Sequence, residues 1–210
     1  MKNFYSKFSK LDLPLHGVRL PDFQVEPRLK KDYGLEESST NYDFLLQVCR
    51  KNFKNFDIEK EDYNKYGDRV KYELDTIKDL GFVDYILLVW TVINHCKETD
   101  IAVGLGRGSA AGSLVLYLMG VTQVDPIKYE LFFERFISKI RAKKQVVDGI
   151  TYLDGSLMCD IDIDICYYNR HKVIKFVEKL FEGRTSKILT LTTLSGKLLI
   201  KECGKIIEGK

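Results

Sequence analysis

At 210 residues, with 45% apolar and 30% charged side chains, the chain is long enough for one large domain, or one and a half small ones, around a real core. A formal net charge of +3 permits an anionic partner without demanding one, so any functional basic face has to be local. Five scattered cysteines with no C-x-x-C pair exclude a disulfide framework and a zinc-ribbon pattern and point to reduced thiols inside a cell.

In chain order, the N-terminal MKNFYSKFSKLDL is charged and lacks the apolar core of a signal peptide. Residues 1 to about 40, with Pro14, Pro21, Pro27 and the Ser38-Ser39-Thr40 cluster, read as an extended lead-in. A helix is expected from about Tyr42 through Phe44, Leu45 and Val48. The charged, aromatic-dotted stretch KNFKNFDIEKEDYNK that follows reads as a solvated surface, with Phe and Tyr residues that could alternatively stack on bases. Val70, Leu74, Ile77 and Leu80 mark an amphipathic helix closed by Gly81. Tyr85 to Lys97 is a second helix, apolar nearly all round, with Trp90 in the core and His95 as a core histidine. Its apolar run is about half of what spans a bilayer, so a cytoplasmic protein without a membrane segment is expected.

Ile101 to Val103 predicts a short strand, and Ser109 to Met119 a helix. Asp125-Pro126 has the residues of a helix start, with YELFFERF continuing it. Residues 139–157 carry Lys139, Arg141, Lys143 and Lys144 and two turn signals, which suits a basic hairpin. Asp160 to Ile165 alternates strictly and is the clearest strand. Asn169 to Phe181 reads as a helix stopped at Gly183, Ile188 to Leu191 as a strand, and the last helix begins near Leu194. Strands alternating with helices give an α/β or α+β class.

Two stretches carry chemistry. GLGRGSAAGS, Gly104 to Ser113, has four glycines between apolar runs. Bare backbone lets a phosphate approach main-chain N–H groups, a following helix start adds unpaired donors, and Ser109 and Arg107 add a hydroxyl and a fixed charge. No G-K-S/T follows, and the spacing is not that of a dinucleotide fingerprint. Phosphate binding and a tight turn packed on a neighbour both remain open from the loop alone.

CDIDIDI is the second stretch. On a strand Asp160, Asp162 and Asp164 share one face, and Ile161, Ile163 and Ile165 share the other, buried one. Three like charges on one face repel, and a hard divalent cation relieves that repulsion. Carboxylates two residues apart can bridge two such ions in the geometry of phosphoryl transfer, whereas the alternative is a solvated polar edge. Cys159 and Cys166 flank the stretch, but thiolates suit softer metals than these oxygens do.

A Gly-Ser loop followed by D-x-D is the plan of a nucleotidyltransferase. The residues LGFVDYILLVWTVINHCKETDIAVGLGRGSAAGSLVLYLMGVTQVDPIKYELFFERFIS and CDIDIDICYYNRHKVIKFV resemble the catalytic region of C-family DNA polymerases, the bacterial DNA polymerase III alpha subunits. The likeness runs through G-x-G-R-G-S-x-x-G-S-L, D-P, L-F-F-E-R-F and P-D-F-D-x-D-F with a following Arg. ILTLTTLSGKLLIKECGK resembles the segment after it, so that the likeness covers about residues 66–207.

The resemblance implies a polymerase-beta-like palm, an α/β fold with a mixed sheet and flanking helices. It divides the chain into a lead-in and helical part over 1–65, a catalytic core over 66–190 with the basic hairpin inserted at about 139–157, and the start of the fingers over 191–210. It implies magnesium-dependent transfer of a nucleotide from a dNTP to a primer 3′-hydroxyl in DNA replication. Asp162 and Asp164 are then the catalytic ligands of two Mg2+ ions, and Asp160 is not a ligand. Gly106, Arg107, Gly108, Ser109 and Lys197 contact the nucleotide. Arg170 falls at a basic position near the active site, where it would contact primer-template DNA. The inserted hairpin is a departure from the family: its Lys143 and Lys144 could touch the nucleic-acid backbone, or it is a solvated surface hairpin.

The sequence departs from the family pattern at Cys159, where the motif has Pro, and at Ile161 and Ile165, where it has aromatics. The family also carries a PHP domain before this region and a third catalytic aspartate after it. The expectation is therefore a piece of a polymerase: an experimental fragment, a truncated gene product or, the preferred reading, one part of a phage-like split polymerase whose second polypeptide supplies the remaining carboxylate. Two rival functions follow the same residues: a nucleotidyltransferase with a non-DNA acceptor, and a non-catalytic remnant that binds DNA or a polymerase partner.

Overall fold

The computed structural model describes residues 17–19, 23–56, 58–138, 144–147, 150–153, 158–187 and 193–208. The chain divides into two compact units, Met1–Val173 and Ile174–Lys210. The Leu13-Pro14 lead-in, Lys139, Arg141, Lys143 and the expected strand at Ile188 to Leu191 lie outside the described residues.

Helices build the first unit. They are α1 (Pro27–Asp32), α2 (Asn41–Phe53), α3 (Tyr63–Leu80), α4 (Val83–Glu98) and the short α5 (Leu114–Leu118). Thr40 starts α2 with a reciprocal cap: its hydroxyl accepts from the Asp43 amide at 3.1 Å, and the Asp43 carboxylate accepts from the Thr40 amide at 2.9 Å. Asn41 ties the chain before it to α4, donating to the Phe23 carbonyl and to Asp84, both at 2.7 Å. The apolar stripe of α3 ends at Gly81, where the Phe82 amide donates back to Ile77.

Helix α2 packs on α4 and α5, and α3 packs on α5. Phe44, Leu45, Ile77, Ile86, Leu87, Ile93, Leu114 and Leu116 are fully buried among them. Phe44 meets Trp90 edge-on at 5.3 Å, and Tyr33 meets Phe44 at 5.1 Å. The aromatics of the charged stretch are also used internally: Phe53 stacks edge-on against Tyr63 and Phe56 against Tyr117. His95 is half-buried on α4.

The expected mixed sheet is not the architecture. Among the described residues the strands are β1 (Lys144–Val147) and β2 (Ile150–Leu153), an antiparallel pair within the stretch that predicts a hairpin. Asp160 to Ile165 is extended but belongs to no sheet. It meets Ile101 to Val103 only at an isolated antiparallel bridge between Val103 and Ile165. A strand needs a ladder partner for its amides and carbonyls, and the alternation of side chains does not provide one.

Two expected helices are also shorter than their sequences suggest. Ser109 to Met119 splits into a 3-10 turn over Gly108–Gly112 and α5, with extended Ser113 between them. Asp125-Pro126 opens a turn rather than a helix. Asp125 accepts from the Ile127 and Lys128 amides, but Glu130 takes a left-handed conformation and only a 3-10 turn, Phe133–Arg135, follows. The boundary between the units falls within α6 (Arg170–Leu180), and α7 (Gly196–Glu208) is the long helix of the second unit.

Candidate functional site

The glycine loop and the acidic segment meet at the isolated bridge. The Gly104 amide donates to the Asp164 carbonyl at 2.8 Å, and the Cys166 amide donates to the Ala102 carbonyl at 3.0 Å. Gly104 permits this approach, because a Cβ there would lie 3.0 Å from the Asp164 Cβ. The start of the loop is fixed a second time by the Gln123 amide, which donates to the Leu105 carbonyl at 2.7 Å.

Past the bridge the loop turns its arginine onto the carboxylates. Arg107 is 3.0 Å from Asp162 and 3.5 Å from Asp164. The hydrogen bond to Asp162, with the charges of both carboxylates, pushes the guanidinium further up. Gly108 follows at φ +66°, and a Cβ there would come within 3.3 Å of the Asp162 carboxylate. A side chain at 108 would be strained and would crowd that carboxylate. Gly106, Arg107 and Gly108 are exposed and Ser109 is half-buried.

The acidic segment is held from below. The Ile161 amide donates to the Tyr85 hydroxyl of α4 at 3.3 Å. Burial pushes the Tyr85 phenol up to about 12, with Cys159, Asp160 and Asp162 adding to it and the Ile161 amide opposing. Cys159 is buried, and burial pushes its thiol up to about 12, so it remains a neutral packing group. Ile161, Ile163 and Ile165 are half-buried, not the fully buried face their alternation predicts, because no sheet covers them. Asp160 and Asp164 are exposed, and Asp162 is half-buried.

The start of α5 is satisfied from inside the molecule. Glu73 on α3 is fully buried and accepts from the Leu114 and Val115 amides, each at 3.0 Å, and from the Ser113 hydroxyl at 2.8 Å. Arg69 donates at 2.6 Å to the Glu73 Oε1 that also accepts from Leu114, and onward to the Gly112 and Leu131 carbonyls. Burial pushes the Glu73 carboxyl up, and these donors pull it back. The negative group at this helix N-terminus is therefore a side chain, and the expected use of the α5 dipole by a phosphate gives way to the 3-10 turn at Gly108. Sequence reasoning missed this pair. Its one signal is that Glu73 lies four and seven residues before Ile77 and Leu80, on the buried stripe of α3.

The structure thus brings together Gly106, Arg107, Gly108, Asp162 and Asp164. Arg170 is exposed at the start of α6, a few residues beyond the bridge. Lys144 begins β1. Lys197 is exposed on α7 in the second unit. Among the described residues no three acidic, histidine or cysteine side chains converge as metal ligands, and Asp160 does not join the other two. Asp162 and Asp164 do converge on one cation, the Arg107 guanidinium, and their oxygens are hard donors of the kind that suit magnesium.

Across the bridge a loop of bare backbone thus faces paired carboxylates through its arginine. The family follows from comparison: residues 43–210 match the model of the bacterial DNA polymerase III alpha NTPase domain, and the chain belongs to that family. It is 35% identical over 94% of its length to the DNA polymerase III subunit alpha of Bacillus subtilis. It is 38% identical over 91% of its length to that of Borreliella burgdorferi. The chain spans about 15% of the length of each of these relatives. No helix among the described residues is long and apolar enough to cross a membrane.

Proposed function

We propose that this chain carries the nucleotide- and metal-binding part of a DNA-directed DNA polymerase, which transfers a nucleotide from a dNTP to a primer 3′-hydroxyl. The observation that carries the reading is the convergence of Arg107, Gly108, Asp162 and Asp164 across a single backbone bridge. When bound, two magnesium ions would lower the pKa of the attacking hydroxyl and neutralise the charge of the leaving pyrophosphate. Asp162 and Asp164 are the residues that would hold them.

The chain's own groups then act as follows. The amides at Gly108 and Ser109, which begin the 3-10 turn, serve the β- and γ-phosphates, and the Ser109 hydroxyl adds a donor. Arg107 leaves the carboxylates and pairs with the triphosphate, for which its planar fork is better matched than a lysine. Gly104 and Tyr85 keep the acidic segment at its distance from the loop. Arg170, Lys143 and Lys144 contribute to primer-template DNA.

The test is primer extension by the polymerase as it occurs in the cell, with Asp162→Asn and Asp164→Asn introduced singly. Each is expected to lower the magnesium-dependent rate by at least about a hundredfold, the scale of losing one group that stabilises transition-state charge. Unchanged extension in both variants contradicts the reading and favours a remnant that binds without turnover. Extension of a non-DNA acceptor alone assigns a different transferase.

A further inference from the structure

Immediately after the bridge the chain runs Cys166-Tyr167-Tyr168-Asn169-Arg170-His171-Lys172. Tyr167 and Tyr168 sit in a 3-10 turn and are 84% and 82% exposed. Their rings stand edge-to-face, 5.9 Å apart at 81°. Single exposed aromatics are ordinary, but two adjacent large rings left this open give up burial that a structural role would have used. The three residues after Asn169 are exposed as well, two of them permanently charged, and no acidic residue lies between Ile165 and Lys172. Rings with interspersed cations are the composition of a surface that stacks bases and tracks a phosphate backbone.

Its position fits that use. Tyr167 is the third residue after Asp164, at most about 11 Å of extended chain away. The turn is fixed on the carboxylate side by the Cys166 amide on Ala102 and by the Asn169 amide on the Cys166 carbonyl. Val173, one residue past the basic run, is buried with Cys96 and Ile101 and anchors the segment to α4. The rings are thus presented from a fixed base close to the paired carboxylates.

We propose that Tyr167 and Tyr168, with Arg170 and Lys172, form a stacking platform for a single-stranded stretch of nucleic acid beside the nucleotide site. The proposal rests on the polymerase reading for its context, and its test does not.

The experiment measures anisotropy of a fluorescein-labelled single-stranded oligodeoxynucleotide of about 12 nucleotides, within the range such surfaces cover, on the full chain. An abasic oligomer of the same length serves as competitor. The unsubstituted chain is expected to prefer the base-containing strand. Tyr167→Ala with Tyr168→Ala is expected to weaken binding about tenfold and remove the preference, and Phe at both positions to restore most of it. Arg170→Gln is expected to reduce the salt dependence of binding by about one ion. Because both rings are exposed, the melting temperature stays unchanged in these variants.

Equal binding by the alanine variant, equal binding of the abasic strand, or no binding by the parent chain each overturns the proposal. Triphosphate binding measured on the same samples separates the two readings. Its retention alongside a failed oligonucleotide result leaves the nucleotide site standing. Its loss alongside a retained platform removes the nucleotide site and keeps this surface.

Discussion

Arg107 shows how single residues set the state of the site. Two carboxylates two residues apart would repel, and the guanidinium within 3.0 and 3.5 Å of them relieves that repulsion. The same arginine therefore competes with any divalent cation for those oxygens. Its side chain is more than half exposed, so solvent screens the pair and the competition is mild. Arg107→Gln is expected to tighten Mn2+ binding by about two- to fivefold in the absence of nucleotide, read by electron paramagnetic resonance of free manganese. Unchanged or weaker manganese binding would show that the arginine does not guard the carboxylates. The alternation of CDIDIDI put three aspartates on one face and could not choose two of them; the choice of Asp162 and Asp164 came from the family resemblance. That Arg107 would face them was not legible, because residues 55 or more positions apart meet only through the bridge at Val103 and Ile165.

At the scale of elements, sequence pattern succeeded where one face of a helix packs on a neighbour. Val70, Leu74, Ile77 and Leu80 name α3, and the apolar run from Tyr85 names α4, because burial against a neighbour imposes the helical period. It failed where structure depends on partners distant in the chain. Asp160 to Ile165 has strand alternation but no ladder, and the mixed sheet expected around it is absent from the described residues. Asp125-Pro126 has the residues of a helix start, yet Asp125 closes a turn and accepts from the Tyr66 hydroxyl at 2.6 Å instead.

Glu73 is the other element-scale device, since it joins α3 to the N-terminus of α5 and through Arg69 to Gly112 and Leu131. Glu73→Ala takes the carboxylate from a half-buried arginine, two amides and a hydroxyl. It is expected to cost about 3–5 kcal/mol in urea unfolding, with the glycine loop losing its footing as α5 shifts. A cost below about 1 kcal/mol, the range of an exposed pair, would mean that the pair is not the clamp described here.

For the whole molecule, the helices of the first unit place a loop and an extended segment against each other with very little sheet. Helix-to-helix packing of α2, α3, α4 and α5 supplies the rigid base, and the bridge at Val103 and Ile165 supplies the alignment. The family relationship covers most of this chain and only a small part of its relatives, so the proposed reading assigns these residues one part of the reaction, the holding of a triphosphate and its cations.

That capacity is directly measurable. Binding of a fluorescent dATP analogue to the full chain should be detectable with Mg2+ present and fall sharply with chelator. It should be lost when Asp162→Asn and Asp164→Asn are combined. Binding that ignores both magnesium and the two aspartates, or no binding at all, would contradict the assignment of the glycine loop and the acidic segment to one nucleotide site.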